Sequence, residues 1–259
     1  MCVVCLNLID ASEAKGTRQG TELRDPRTIG HRLTARHRFL CGMAGELKDE
    51  AVLDLGCGFG WFEKYAVEQG CKRVVGVDLD ERLIDRARRE VPGAEFLLQD
   101  ATEIPASIGK FGVVSMFDFL EHLAGSKLVD VLRRVNQLLE AEGRLLISVP
   151  YQSFLSNALD PAFFFGHRHY SIKDLEIILG STGFKVSSVV YAGGSWEQIS
   201  MIWLYIFKWV FRREMPFADF LERKRLVEYK ACQQKPGLKS YATMFVEAIK
   251  GDQASACEP

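Results

Sequence analysis

Asp118, Glu121 and His122 stand at i, i+3 and i+4, so a helix starting there would carry two carboxylates and an imidazole on one face. Such a set can hold a hard divalent ion; without a metal, Glu121 and His122 would cap and brace the next segment. A second polar cluster, Gly166-His167-Arg168-His169-Tyr170-Ser171, follows Phe163-Phe164-Phe165. An imidazole titrating near pH 6.5 suits proton removal at neutral pH, which makes His167 or His169 a candidate general base. The third group is a backbone feature. Val52-Leu53-Asp54-Leu55-Gly56-Cys57-Gly58-Phe59-Gly60 reads as a buried strand breaking into a turn with glycine at alternate positions, where a ligand can lie close to the main chain. About twenty residues on, Asp78 ends a short apolar run where a ribose diol would need an acceptor.

These groups need elements to hold them. Apolar runs at 52–55, 73–78, 95–101, 112–118 and 143–150 read as strands, with helical periodicity at 81–90 and 126–140 between them. Strands alternating with helices predict a parallel sheet covered on both faces. A helix is expected from Thr28, with Ile29, Leu33, Phe39, Leu40 and Met43 on its apolar face and His31, Arg32, Arg36, His37 and Arg38 on solvated sides. The glycine turn suits a dinucleotide fold or an S-adenosylmethionine fold. Its G-x-G-x-G spacing lacks the later glycine of the usual dinucleotide fingerprint, which tells against a nicotinamide-dependent oxidoreductase.

The ordered set VLDLGCGFGWF, GVDLD, LLQDATEIP, SMFDFLEHL and EGRLLISVP resembles the class I S-adenosylmethionine-dependent methyltransferases, over roughly residues 30 to 190. Members with Glu-His after the fourth strand, such as the ubiquinone-pathway O-methyltransferases, look most similar. The resemblance implies an α/β, doubly wound, Rossmann-like sheet of order 3-2-1-4-5-7-6 with the last strand antiparallel. The sixth and seventh strands are then expected at 184–191 and 241–249, with an insertion at 193–239 between them. It implies S-adenosylmethionine held by Asp54, Gly56, Cys57, Gly58, Gly60, Asp78, Leu79, Asp100, Ala101 and Phe117. It places His122, His167, His169 and Tyr170 on the acceptor side, and a divalent metal on Asp118, Glu121 and His122. Asp118 departs from the Glu those enzymes carry. The implied activity is O-methylation of a small hydrophobic or lipid-linked acceptor; a non-catalytic S-adenosylmethionine-binding protein is the other reading.

Composition sets the frame. The chain has 259 residues, 47% hydrophobic and 26% charged, enough for one large core. A net charge of −1 argues against a general nucleic-acid binder. Seven scattered cysteines suggest a reducing cytoplasm, and Cys2 and Cys5 lack the second pair a zinc site needs. Residues 1–27 read as a flexible segment, 28–250 as the methyltransferase domain and 251–259 as a tail. Within the insertion, Ile199–Phe211 is apolar nearly all round but too short to span a bilayer of roughly 30 Å. Residues Lys208 to Lys239 hold nine Lys or Arg against four Asp or Glu. Residues 196–230 are thus expected at a peripheral membrane contact or in a homodimer interface, with a cytoplasmic, membrane-associated location.

Overall fold

The computed structural model describes residues 28–29, 32–123, 125–153, 157, 163, 166–213, 215–231 and 241–251. The expectations for the N-terminal segment, the tail, Phe164, Phe165, His31, Cys2 and Cys5 lie outside these residues.

Two short strands, β1 (Thr28–Ile29) and β2 (Arg32–Leu33), pair antiparallel. They are followed by α1 (Ala35–Ala44), β3 (Ala51–Leu55), α2 (Trp61–Glu68), β4 (Arg73–Asp78), α3 (Glu81–Glu90), β5 (Glu95–Leu98) and β6 (Phe111–Phe117). Next come α4 (Gly125–Leu138), β7 (Leu139–Pro150), α5 (Ile172–Ser181) and β8 (Phe184–Ala192). The chain closes with α6 (Ser195–Tyr205), α7 (Ala218–Lys230) and β9 (Thr243–Lys250). The sheet runs β5-β4-β3-β6-β7-β9-β8, with β9 antiparallel to both neighbours. Numbering these seven strands from one, the order is 3-2-1-4-5-7-6, as the resemblance implied.

Strand residues alternate between two cores. Leu53, Leu55, Val75, Val77, Val114 and Met116 face α4 and α5, while Val52, Val74 and Val113 face α1 and α2. Asp54 shares the parity of Val52 and lies on the α1 and α2 face.

Three expectations need correction. The helix expected from Thr28 begins only at Ala35, because Thr34 caps it: its Oγ1 accepts from His37 N–H while His37 Nδ1 accepts from Thr34 N–H. The helix expected to reach Glu140 stops at Leu138, and Leu139 already pairs with Phe111. The single apolar helix expected over 199–211 is α6, begun earlier at Ser195, and it widens into one π turn at Ile206–Val210.

Candidate active site

Two clusters occupy the carboxyl ends of the parallel strands. The first surrounds the glycine turn after β3. Gly56, Gly58 and Gly60 all have positive φ (78°, 58° and 84°). A Cβ at Gly56 would enter the Phe119 ring and one at Gly60 would press on Phe96, so side chains are excluded by space as well as conformation. Gly56 N–H and Cys57 N–H both donate to Val77 O, at 2.8 and 3.1 Å, tying the turn to β4. Asp78 locks it further: Oδ2 accepts from Gly58 N–H at 2.9 Å and Oδ1 from Asp80 N–H at 3.0 Å. Beside it, Leu79 is 68% exposed, an apolar side chain left uncovered at the edge of the turn.

The other expected cofactor residues take varied positions. Asp54 is buried and accepts from Ser115 Oγ at 2.6 Å across β3 and β6. Asp100 closes its own turn, with Oδ1 accepting from Thr102 N–H and Oγ1, and its carboxyl is held low by those bonds and by Lys127. Ala101 and Phe117 are buried, the latter edge-on to Phe62. Cys57 is buried, and burial pushes its thiol up. Glu63, which nothing in the motifs singled out, lies fully buried on α2 with both carboxyl oxygens lacking a hydrogen-bond partner among the described residues. Burial first and Asp54 second hold its carboxyl well above the usual range. Asp54, Glu63 and Asp78 make this edge acidic.

The second cluster lies beyond β6 and β7. Asp118 has φ +53°, so the chain leaves β6 by a left-handed residue and no helix starts there. A single 3₁₀ turn, Leu120–His122, follows. Asp118 therefore does not share a helical face with Glu121 and His122, which corrects the expected geometry of that set. Its carboxylate is buried and paired through both oxygens with the Arg36 guanidinium; Oδ1 also accepts from Ser148 Oγ at 2.8 Å. Burial alone would raise this carboxyl, but the charge and hydrogen bonds of Arg36, together with the Ser148 hydroxyl, help hold Asp118 well below the carboxylate range. Among the described residues no set of three His, Cys, Asp or Glu is arranged to hold a metal ion.

Three of the four expected acceptor-side residues, His122, His167 and Tyr170, do meet, and Glu121 joins them. The buried Glu121 has Oε1 3.8 Å from His122 Nε2, and the rings of His122 and His167 lie edge to face at 4.5 Å. Tyr170 OH donates to Leu120 O at 3.2 Å. Burial, then Asp118, pushes the Glu121 carboxyl up to about 8; burial, then Glu121, pushes the Tyr170 phenol up to about 12. His169 goes elsewhere, its Nδ1 2.7 Å from Asn157 Oδ1.

The structure adds residues that the motifs missed. Arg36 and His37, expected on solvated sides, are turned inward, Arg36 half-buried and His37 buried: Arg36 spans Asp118 and Thr243 Oγ1, and His37 stacks on Trp61 at 4.4 Å. Over them, Arg225 of α7 bridges Glu197 of α6, at 2.5 and 3.0 Å, and Glu222 at 2.8 Å. Glu222 in turn accepts from Ala35 N–H, joining the insertion to α1. Glu228 caps the start of α6, accepting from Trp196 N–H and Glu197 N–H. The Tyr229 phenol is buried between these charges and has no hydrogen-bond partner among the described residues. A lone Glu in an otherwise apolar helix was the signal for the Glu197–Arg225 pair, since a buried carboxylate needs a cation.

A glycine turn that excludes side chains, with Asp54, Glu63 and Asp78 around it, suits the main-chain approach of a cationic, ribose-bearing cofactor. A methyltransferase domain family model matches residues 27–189, more than half of the chain. Sphingolipid C9-methyltransferase 2 of Gibberella zeae is 26% identical over 111 residues, 40% of this chain and 21% of its own length. Malonyl-[acyl-carrier protein] O-methyltransferase of Serratia marcescens is 38% identical over 66 residues, 26% of each chain. The chain thus spans only about a quarter of these curated relatives. Among solved structures, an S-adenosylmethionine-dependent methyltransferase from Mesorhizobium loti superposes with TM-score 0.57 at 20% identity, over 83% of this chain and 98% of that one. Magnesium protoporphyrin IX methyltransferase from Synechocystis PCC 6803, with SAH bound, superposes with TM-score 0.57 at 15% identity over 95% of each chain. With the strand order, the glycine turn and the family model in agreement, this chain belongs to the methyltransferase domain family and has the fold of those solved methyltransferases.

Proposed function

We propose that the chain methylates the oxygen of a small hydrophobic or lipid-linked acceptor, using Glu121 as the proton acceptor. The observation that carries this reading is the buried Glu121 carboxyl, raised to about 8, beside the imidazoles of His122 and His167. A base whose pKa lies near neutral pH can take a proton from a hydroxyl and pass it to a neighbouring imidazole. Tyr170 fixes the Leu120 end of this turn through its hydroxyl, and His167 packs against His122. S-adenosylmethionine supplies an already activated methyl on a sulfonium.

On the cofactor side, Asp78 is the ribose acceptor. Gly56, Cys57, Gly58 and Gly60 offer the main chain to the amino-acid part, and Asp54 faces its ammonium. Leu79 and Phe117 flank the seat, while Asp100 and Ala101 meet the adenine. Transfer then needs in-line approach in a closed site more than covalent help. The Arg36–Asp118 and Glu197–Arg225 pairs brace the roof. With Asp118 committed to Arg36, the remaining Glu121 and His122 are a poor fit for a hard divalent ion, and no step runs through one.

A hydrophobic acceptor is supported by the apolar insertion adjoining this edge. The named relatives methylate different atoms, carbon in the Gibberella enzyme and oxygen in the Serratia enzyme, so oxygen is favoured here by the carboxyl base alone. Incubation with labelled S-adenosylmethionine and fractionated membrane lipids and cytosolic metabolites should put label in a lipid fraction. Glu121→Gln should lower that transfer by about 10²–10⁴-fold with cofactor affinity retained. Label transfer unchanged in Glu121→Gln would remove the base; a wild-type protein that binds the cofactor and labels nothing would point to a binding protein.

A further inference from the structure

Helix α6 is packed inside out. Its buried residues are Glu197, Gln198, Ser200 and Tyr205, while Ile199 is exposed and Met201, Ile202, Trp203 and Leu204 are only half-buried. An amphipathic helix of a water-facing protein shows the reverse. The inversion follows from the Glu197–Arg225 pair, which turns the polar side inward and leaves the apolar side out. The apolar surface continues beyond the helix: Val210 is 71% and Phe217 72% exposed, and Phe211 and Phe220 are exposed as well.

The connection holding these side chains is strained. Arg212 and Phe217 both sit at positive φ, 49° and 60°, where side-chain residues rarely settle. Arg212, Arg213, Arg223 and Lys224 are exposed around the aromatics, against Asp219 as the exposed acid among the described residues. Lys224 lies 5.5 Å over the rings of both Trp196 and Phe220. Arg225, counted with this flank in the sequence, is instead consumed inside by Glu197 and Glu222. Among the described residues no helix is long and apolar enough to cross a membrane.

We infer that the stretch from Ile199 to Lys224 seats on an anionic lipid surface, its aromatics in the acyl boundary and its cations at the headgroups. Charge complementarity selects this occupant. A second copy meeting the patch symmetrically would bring four cations against the same four, whereas an anionic bilayer neutralises them.

The test is co-sedimentation of the full chain with vesicles of mixed phosphatidylcholine and phosphatidylserine, and with vesicles of phosphatidylcholine alone. Binding should require the anionic lipid and weaken as salt rises to physiological strength, where screening acts over about 8 Å. Phe211→Ser with Phe217→Ser, and separately Arg212→Glu with Arg213→Glu, should each weaken binding by about tenfold or more, the thermal melt staying in place because these residues are exposed. Absence of binding at low salt, or equal binding to neutral vesicles, overturns the inference. So does a sedimentation-equilibrium dimer that the aromatic double substitution splits, since the face is then a subunit contact.

Discussion

The cofactor edge and the acceptor edge lie at the same end of one sheet, yet they manage buried charge in opposite ways. Around the glycine turn, Asp54 accepts from a serine hydroxyl, Asp78 from two backbone N–H groups, and burial pushes the Glu63 carboxyl towards its protonated form. Across the sheet, Asp118, Glu197 and Glu222 are each matched to Arg36 or Arg225. The first edge ties Asp54 and Asp78 to the turn and the neighbouring strand through hydrogen bonds. At the second, Asp118, Glu197 and Glu222 are neutralised in advance, so these charges serve geometry, holding α1, α6 and α7 over the strand ends.

The contrast is broken most directly at Arg36. Arg36→Met leaves Asp118 buried and unpaired, a loss expected to cost about 3–5 kcal/mol in urea unfolding, and adding Asp118→Leu should recover most of it. Equal losses in the single and double variants would mean that the pair does not brace the roof.

The cofactor edge should respond in affinity instead. Asp78→Ala should weaken S-adenosylmethionine binding by about 1.5–3 kcal/mol, roughly 10- to 150-fold in Kd, by calorimetry on a folded variant. Unchanged affinity would take the ribose role from Asp78.

pH separates the two kinds of acid. Glu121 rises from 4.5 unfolded to about 8 folded, so the folded state holds its proton more tightly and its contribution is complete below pH 4.5. Stability should then fall by about 1.4 kcal/mol per pH unit for this group as pH rises from 4.5 towards 8. Glu63 is shifted the same way, whereas Asp118 is shifted down, so its contribution is present above pH 3.8 and lost in more acid solution. Chemical melts of Glu121→Gln across this range should show a flatter neutral limb; an unaltered slope would mean that Glu121 is ionised in the folded protein.

The smallest effect belongs to charges outside both edges. Arg73 and Glu95 pair at 2.9 Å on the surface, and Arg73→Ala should change stability by about 0–1 kcal/mol. A larger loss would extend the logic of the acceptor edge to solvent-facing pairs.

The two edges also differ in how far they could be read from the chain. Gly56, Gly58, Gly60 and Asp78 lie within one strand-turn-helix-strand unit, and their roles rest on φ angles and backbone bonds that residue type alone dictates. The strand positions were readable because each motif marks a strand end, while their order came from the family resemblance those motifs carry. Arg36 could not be placed, since its partners Asp118 and Thr243 are 82 and 207 residues away. Helical periodicity puts Arg36 beside Arg32 and His37 and suggests water. Asp118 was misplaced because the helical template assumed φ below zero, while a short polar side chain tolerates the left-handed turn taken here. Glu63 carries no motif, since its burial arises only when α2 packs against Gly76.

The bond from Ala35 N–H to Glu222 closes a loop of 187 residues, and that from Arg36 to Thr243 one of 207. Such closures reward the chain only after the intervening strands have paired, so the acceptor edge belongs to the last stage of folding. Weakening its ion pairs should accordingly quicken unfolding while leaving the refolding rate nearly unchanged. The nucleotide half of the sheet would form first and bind its ligand before the other half closes, letting cofactor occupancy assist the enzyme's own maturation.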